Sequence, residues 1–141
     1  NLTTPLVWTQ ACWNRWMKEH GGAVVNISSV GAYATNPILG VYDITKRALI
    51  HLTEQLAAEI GPTVRVNAVC PGLIRTDFAR ALWEGGRGDA IAATLPMKRL
   101  GEATDIANTA LFLASDAASW MTGHAVLVDG GQLISVDGVQ L

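Results

Sequence analysis

Patterns that would bind a metal or span a membrane are missing from this sequence. Only two cysteines occur, Cys12 and Cys70; they form no Cys-x-x-Cys pair, and the three histidines lack metal-ligand spacing. No apolar run reaches the roughly 18 residues that a membrane span needs. Lys and Arg are scattered and the net charge is -2, which is not typical of a nucleic-acid-binding surface. These absences argue against a metal site, a membrane span and a nucleic-acid partner. We expect a reducing, cytoplasmic location, with both cysteines packed as small core residues.

The order of the predicted elements indicates an α/β fold. Hydrophobic residues make up 50% of the 141 residues, enough for one domain with a substantial core. Periodicity and turn residues predict helices at 2–20, at 41–60 and after a cap at Thr104, and strands at 23–27, 63–69 and 125–128. Residues 73–102 are predicted to form a partly helical, mobile segment. Because strands and helices alternate, we expect a parallel sheet with helices on both faces.

A tyrosine and a lysine stand one turn apart on the second predicted helix. Tyr42 and Lys46 share a face because they are four residues apart. An apolar stripe that begins with Val41 and Ile44 is offset from that face, so we expect the stripe to pack while the pair points into a cleft. A phenol has an ordinary pKa near 10, and a neighbouring ammonium favours the phenolate form. The pair therefore predicts a general acid/base.

A serine directly follows the first predicted strand. Ser29 lies just beyond the strand that ends at Ile27. In open parallel sheets, ligands bind beyond the carboxyl ends of the strands. A hydroxyl at that edge donates a hydrogen bond to a carbonyl oxygen, which gains negative charge as hydride reaches the carbon. We therefore expect Ser29 to hold a substrate oxygen.

Four stretches of sequence, in this order, carry a resemblance to a known family. They are Asn-Ile-Ser-Ser at 26–29, Tyr-Asp-Ile-Thr-Lys at 42–46, Arg-Val-Asn-Ala-Val-Cys-Pro-Gly-Leu-Ile-Arg-Thr at 65–76 and Val-Asp-Gly-Gly at 128–131. Nearly the whole chain resembles the short-chain dehydrogenase/reductases, and within them the 3-oxoacyl-carrier-protein-reductase-type enzymes and related carbonyl reductases. The resemblance implies a single Rossmann-type domain, of which residues 1–141 form the C-terminal catalytic part, with the last three strands and their helices.

The resemblance also implies a role for each member of a catalytic set. Tyr42 would donate the proton in reduction and accept it in oxidation, and Lys46 would favour the phenolate and bind the nicotinamide ribose. Ser29 would hold the substrate oxygen. Asn1, twenty-eight positions before Ser29, matches the family's fourth member and would help to hold a water for proton relay. The implied reaction transfers a hydride between NAD(P) and the carbonyl or alcohol carbon of a small, hydrophobic substrate.

NAD or NADP is the cofactor that the resemblance implies. Its nicotinamide end would contact Tyr42, Lys46 and a segment after the second strand, which contributes Pro71, Gly72, Ile74 and Thr76. The family's glycine-rich phosphate loop is missing, because Gly86-x-Gly88 has Ile91 at the third glycine position. We therefore expect that loop, and the residue that selects NAD or NADP, upstream of Asn1. Without the upstream half, the strand at 23–28 would expose an unpaired edge.

Two other functions stay open at this point. Epimerases and dehydratases on the same architecture also carry Tyr-x-x-x-Lys, although the thirteen-residue step from Ser29 to Tyr42 argues against them. A non-catalytic member is the second alternative, but such proteins typically lose the tyrosine or the lysine. The family further implies a homo-tetramer or homo-dimer, in which the helices at 2–20 and 41–60 pack against their copies.

Overall fold

The fold is built on a sheet of three parallel strands. The computed structural model describes residues 1–135, and residues 136–141 of the predicted domain lie outside the described range. The strands are β1 Gly22–Ile27, β2 Val64–Pro71 and β3 Ala125–Val128, in the order β1-β2-β3. The N-terminal helix, α1 Thr3–Cys12, continues through a π-helical turn at Trp13–Met17 into α2 Lys18–His20. The other helices are α3 Gly40–Ile60, α4 Arg80–Trp83, α5 Arg87–Thr94 and α6 Ala103–Ala114. No helix within the described range is both long and apolar enough to cross a bilayer.

The central strand, β2, is buried on both faces. It pairs with β1 from Gly22↔Val64 to Ile27↔Val69 and with β3 from Ala68↔Ala125 to Pro71↔Val128. Alternate side chains of a strand point to opposite faces of the sheet. Val66 therefore packs against Leu56 of α3, and Val69 packs on the other face against Leu113 of α6. The predicted α/β fold, a Rossmann-type parallel sheet with helices on both faces, is confirmed.

The core-facing side of α3 differs from the prediction. Val41, the first residue of the predicted stripe, is 78% exposed. The buried residues of α3 are Asp43, Leu49, Ile50, Thr53, Leu56 and Ala57. Two polar contacts set this orientation: Asn26 Nδ2 donates to Thr53 Oγ1 at 2.9 Å, and Ser28 Oγ donates to the Lys46 carbonyl at 2.8 Å. Because buried polar groups must be paired, these contacts outweigh the apolar stripe, and the stripe prediction is wrong over the first turns.

The two cysteines have different environments. Cys70 is buried near the end of β2, as predicted, whereas Cys12 is exposed at the end of α1. The N-terminal helix contacts the core through Leu6 and, beyond Cys12, through Trp13 and Met17. Cys12 lies outside this contact, so the prediction of a core position for it is wrong.

The start of α6 also differs from the prediction. Glu102, not Thr104, is the N-cap: its side chain accepts a hydrogen bond from the Asp105 N–H, and the Asp105 carboxylate accepts one from the Glu102 N–H at 2.8 Å. Arg99 donates two further hydrogen bonds to the Asp105 carboxylate, at 2.7 and 2.9 Å. These bonds lower the pKa of Asp105 to about 2. Two acidic residues thus form the capping box, although Ser or Thr, with a hydroxyl group, is the usual N-cap residue of this motif.

Asp105→Asn is expected to lower Tm at neutral pH, because it removes the ionic bonds to Arg99. An unfolded aspartate has a pKa of about 3.9. Since the folded-state pKa lies below that value, the stabilisation is present above about pH 4 and is lost as the pH falls towards 2. The Tm difference between wild type and variant should therefore disappear at acid pH. Asp116→Asn is the control, because Asp116 forms no ion pair within residues 1–135. A difference for Asp105→Asn that stays constant down to about pH 2 would contradict the prediction.

The long segment between β2 and α6 has a small core of its own. It contains α4 and α5, and its buried cluster includes Ala92 and Leu95, with Trp83 packed against them. Ile74 and Gly101 form a parallel bridge that joins the two ends of the segment. The predicted partly helical character is confirmed, and the predicted mobility stays a prediction.

Candidate active site

The candidate residues lie at the carboxyl-terminal edge of the sheet. β1 and β2 stay in register to the last residue of β1, Ile27. The loops that follow therefore leave the sheet side by side, with Ser29 after β1 and residues 71–76 at the end of β2 and beyond. The first turns of α3 meet this edge, where Ser28 bonds to the Lys46 carbonyl. This is the edge at which parallel sheets bind ligands.

Lys46 connects the end of β1 to Tyr42. Its ammonium group donates a hydrogen bond to the Ile27 carbonyl at 2.8 Å, and Nζ lies 5.5 Å from the centroid of the Tyr42 ring. Burial lowers the pKa of the Lys46 ammonium, and Cys70 has a smaller, opposite effect. The structure thus brings Tyr42 and Lys46 together, as their four-residue spacing predicts.

Ser29 lies in the turn that follows β1. Its Oγ accepts a hydrogen bond from the Gly31 N–H at 3.1 Å and thereby caps the single 3₁₀ turn Val30–Ala32. The side chain is partly exposed. Because the preceding residue, Ser28, donates to the Lys46 carbonyl, Ser29 is held beside the helix that carries Lys46.

Asn1 reaches the same helix from the start of the chain. Its Nδ2 donates to Thr45 Oγ1 at 3.0 Å, and the Thr45 hydroxyl donates to the Tyr42 carbonyl at 2.7 Å. Asn1 is exposed. The structure therefore places Asn1 next to the turn between Tyr42 and Lys46, with its bond directed to Thr45 and not to the ammonium group.

The predicted cofactor segment after β2 is held by several contacts. The Gly72 N–H donates to a β3 carbonyl at 3.0 Å, and the Leu73 N–H donates to Oε1 of the buried Gln132 side chain at 3.1 Å. Ile74 is buried and is fixed by its bridge to Gly101. A crevice of about 180 Å³ lies between this segment and the end of β3.

The two ends of this segment are anchored differently. Pro71 is the last residue of β2 and pairs with β3. At the other end, Thr76 Oγ1 accepts a hydrogen bond from the Ala79 N–H at 3.3 Å, and its carbonyl accepts one from Trp83 Nε1 at 3.1 Å. The Arg75 guanidinium lies 5.9 Å from the Trp83 ring centroid. Trp83 therefore holds the backbone at Thr76.

Gly72→Ala is expected to destabilise the protein by about 1–3 kcal/mol, because the added methyl group overpacks this region. A Cβ on Gly72 would lie 2.8 Å from both Asp129 Cα and Gln132 Oε1, and the Asp129 backbone cannot yield without moving the end of β3. Denaturant unfolding measures the loss. Gly40→Ala is the matched control, since nothing lies within 4 Å of a Cβ at Gly40. Equal unfolding free energies for the two variants would contradict the prediction.

Three further residues lie in this region that the sequence analysis did not assign to the site. Ser28 fastens α3 to the strand edge, while Tyr33 and Cys70 lie together close to Lys46. Burial is the main reason that the pKa values of the Tyr33 phenol and the Cys70 thiol are raised. The Arg47 guanidinium lies 5.6 Å from the Tyr33 ring centroid. Position could have indicated Ser28 and Cys70, because each lies at the carboxyl end of a parallel strand.

Comparison with known proteins gives consistent matches along the chain. The family model described as enoyl-(acyl carrier protein) reductase matches residues 1–132. The chain is 43% identical over 135 residues to dehydrogenase/reductase SDR family member 4 of Bos taurus, a match that covers 94% of this chain and 48% of that protein. The chain thus spans about half the length of the curated relatives that it matches.

Solved structures give the same result. A short-chain type dehydrogenase/reductase from Mycobacterium ulcerans matches with a TM-score of 0.88 and 40% identity, over 96% of this chain and 50% of that one. A 7α-hydroxysteroid dehydrogenase complexed with NADH and 7-oxo glycochenodeoxycholic acid matches with a TM-score of 0.86 and 34% identity, over 93% of this chain and 52% of that one. Since the family model covers nearly the whole sequence and the fold agrees, this chain belongs to the short-chain dehydrogenase/reductase family.

Proposed function

We propose that the protein is an NAD(P)-dependent oxidoreductase, which transfers a hydride between the cofactor and the carbonyl or alcohol carbon of a small hydrophobic substrate. The proposal depends on the arrangement around Lys46, whose ammonium group bonds to the Ile27 carbonyl at 2.8 Å and lies 5.5 Å from the Tyr42 ring centroid. Membership of the family supports the same class of reaction. In this proposal, residues 1–141 are the C-terminal catalytic part of a single Rossmann-type domain.

Tyr42 is the general acid/base of the proposed reaction. In reduction, its hydroxyl donates a proton to the substrate oxygen as the hydride reaches the carbon, and in oxidation the phenolate takes the proton back. The positive charge of Lys46 lies beside the Tyr42 ring, with Nζ 5.5 Å from the ring centroid. Ser29 donates a hydrogen bond to the substrate oxygen, where negative charge develops. Asn1, which bonds to Thr45 at 3.0 Å, helps to hold a water that relays the proton between Lys46 and solvent.

The residues at this edge fit the nicotinamide end of NAD(P). An ammonium group has three N–H donors, and the bond of Lys46 to Ile27 uses one, which leaves the others for the ribose hydroxyls. Bound cofactor supplies or accepts the hydride. The bond from Leu73 to Gln132 holds the segment that would face the nicotinamide. The proposed contacts of that segment come from Pro71, Gly72, Ile74 and Thr76. The chain has no glycine-rich loop, so pyrophosphate binding is not assigned to it.

Exposed apolar side chains in the segment between β2 and α6 support a hydrophobic substrate. Phe78 and Met97, both in the segment between β2 and α6, are 88% and 61% exposed. Ligand pockets are lined mainly by apolar side chains, with few polar groups to orient the ligand. The solved structure of the similar 7α-hydroxysteroid dehydrogenase contains 7-oxo glycochenodeoxycholic acid.

Turnover by the intact protein tests the proposal. NADH and NADPH are each supplied with aliphatic, aromatic and steroid ketones, and the loss of reduced-cofactor absorbance is compared with the alcohol formed. We expect one reduced cofactor to be consumed for each carbonyl reduced. Product formation without net cofactor consumption would indicate an epimerase or dehydratase, and cofactor binding without any product would indicate a non-catalytic member.

A homo-tetramer or homo-dimer is part of the proposal. The outward side of α3 exposes Ile44 next to a shallow groove lined by Arg47 and Glu54, and the N-terminal helix exposes Trp8 and Trp16. Apolar side chains exposed in this way are typical of interfaces between proteins. Sedimentation of the intact protein distinguishes an oligomer from a monomer, which would contradict this part of the proposal.

A further inference from the structure

Asp43 is a buried carboxyl group that has no role in the proposed reaction. It follows Tyr42 in the first turn of α3 and is only 8% exposed. Within residues 1–135, neither of its side-chain oxygens has a hydrogen-bond partner. Buried polar groups in folded proteins are almost always hydrogen-bonded, because an unpaired one is costly. Asp43 therefore requires a partner close to its carboxyl group.

Gly31 indicates where the carboxyl group points. A Cβ on Gly31 would overlap Asp43 Oδ1, and it would lie 3.5 Å from Ser29 Oγ. The Asp43 carboxyl and the Ser29 hydroxyl therefore lie next to the same point beside Gly31.

Ser29 supplies the matching half of a hydrogen bond. Its Oγ accepts from the Gly31 N–H at 3.1 Å, which occupies one lone pair of the hydroxyl. Among the bonds of the described residues, the hydroxyl proton of Ser29 has no acceptor. We propose that Asp43 and Ser29 share a hydrogen bond, and that Asp43 is the positioning residue for the Ser29 hydroxyl.

This inference rests on the proposed function, because it assigns Asp43 to the residue that would hold the substrate oxygen. In the free protein, Gly31 and Asp43 keep the Ser29 oxygen in one place, and the single hydroxyl proton turns from Asp43 to the substrate oxygen when the substrate arrives. The same contact explains the glycine at position 31, because a side chain there would enter the space where the two groups meet.

A double-mutant cycle in the intact protein tests the hydrogen bond without reference to activity. Ser29→Ala, Asp43→Ala and their combination are compared by denaturant unfolding. With Asp43 present, Ser29→Ala should lower the folding equilibrium constant about threefold to tenfold more than it does in the Asp43→Ala background. The reason is that loss of the Ser29 hydroxyl leaves the Asp43 carboxyl group unpaired, whereas an alanine at position 43 has no polar group to leave unpaired. Asp43→Asn should keep part of this coupling, since an amide still bonds to a hydroxyl.

Thr53 provides the matched control. It is another hydroxyl of α3, buried and bonded to Asn26, and it lies ten residues from Asp43. Thr53→Ala and Asp43→Ala should have additive effects on stability. Additivity for Ser29 and Asp43 as well would overturn the proposal, because Asp43 would then have its partner elsewhere. If neither Asp43 variant folds, the carboxyl group is required by the fold itself, and the positioning role is rejected.

Kinetics test the positioning role. Asp43→Ala is expected to lower kcat about tenfold, with little change in KM for the cofactor, but to have no further effect once Ser29 is alanine. An equal loss of kcat in both backgrounds would reject the role. If the wild-type protein shows no NAD(P)-dependent turnover, the proposed function is refuted, and the unfolding cycle still decides whether the hydrogen bond exists.

Discussion

Tyr42→Phe is expected to lower kcat by about 10²–10⁴ while NAD(P) binding is retained, because the variant lacks only the proton that the proposed reaction transfers. The ring remains next to the Lys46 ammonium, 5.5 Å from Nζ in the wild type, so the packing of α3 should not change. Steady-state kinetics measure kcat, and titration of the reduced cofactor by fluorescence measures binding. The change therefore separates a proton-transfer role from a purely structural one.

The other tyrosine of the chain provides a matched control. Burial raises the pKa of the Tyr33 phenol, which keeps it in the neutral form and makes it a poor acid/base near neutral pH. Tyr33→Phe should therefore retain most of the wild-type kcat. If Tyr42→Phe kept more than about a tenth of the wild-type kcat, or if Tyr33→Phe caused the larger loss, the assignment of the general acid/base would be wrong.

Residues 1–141 expressed alone are expected to aggregate and to show no turnover with NAD(P)H. In the described part of the chain, β1 pairs with β2 along one edge only. Its other edge presents the unpaired backbone groups of a strand whose side chains include Val24 and Val25. Such an edge is a template for pairing with other chains. Size-exclusion chromatography and a cofactor-oxidation assay measure the two outcomes.

A chimera is the control for this second prediction. The same residues are joined behind the upstream half of the Bos taurus relative, which is 43% identical to this chain where the two match. If an uncovered strand edge is the cause, the chimera should be soluble and should bind NAD(P). A soluble, monomeric 1–141 with measurable reductase activity would contradict the prediction, because the edge would then need no cover.

The proximity of the candidate residues was largely predictable, whereas their other contacts were not. Tyr42 and Lys46 are one turn apart on any helix, so their proximity follows from spacing alone. Ser29 could be placed because it follows a strand that is easily recognised. The bond from Lys46 to the Ile27 carbonyl joins residues nineteen apart, and no local pattern indicates it. The bond from Asn67 Nδ2 to the Met121 carbonyl, at 2.8 Å, likewise joins residues fifty-four apart.

The errors have a common physical cause. On α3, the apolar stripe and the buried face disagree, because polar contacts with Asn26 and Ser28 decide the rotation of the helix about its axis. At α6, Glu102 is the cap because Arg99 and Asp105 support it, although a hydroxyl stands two residues later. In both places, a tertiary contact or an ion pair outweighs a single-residue preference.

By itself, the sequence determined the order of strands and helices, the parallel sheet with helices on both faces and the motifs that identify the family. These features depend on hydrophobic periodicity and on spacing within short stretches, which a reader of the sequence can see. Only the tertiary structure decided which face of α3 is buried, what the Lys46 ammonium bonds to, and that Asp43 meets Gly31 beside Ser29. Those features depend on how elements far apart in the chain pack together, so no local pattern could indicate them.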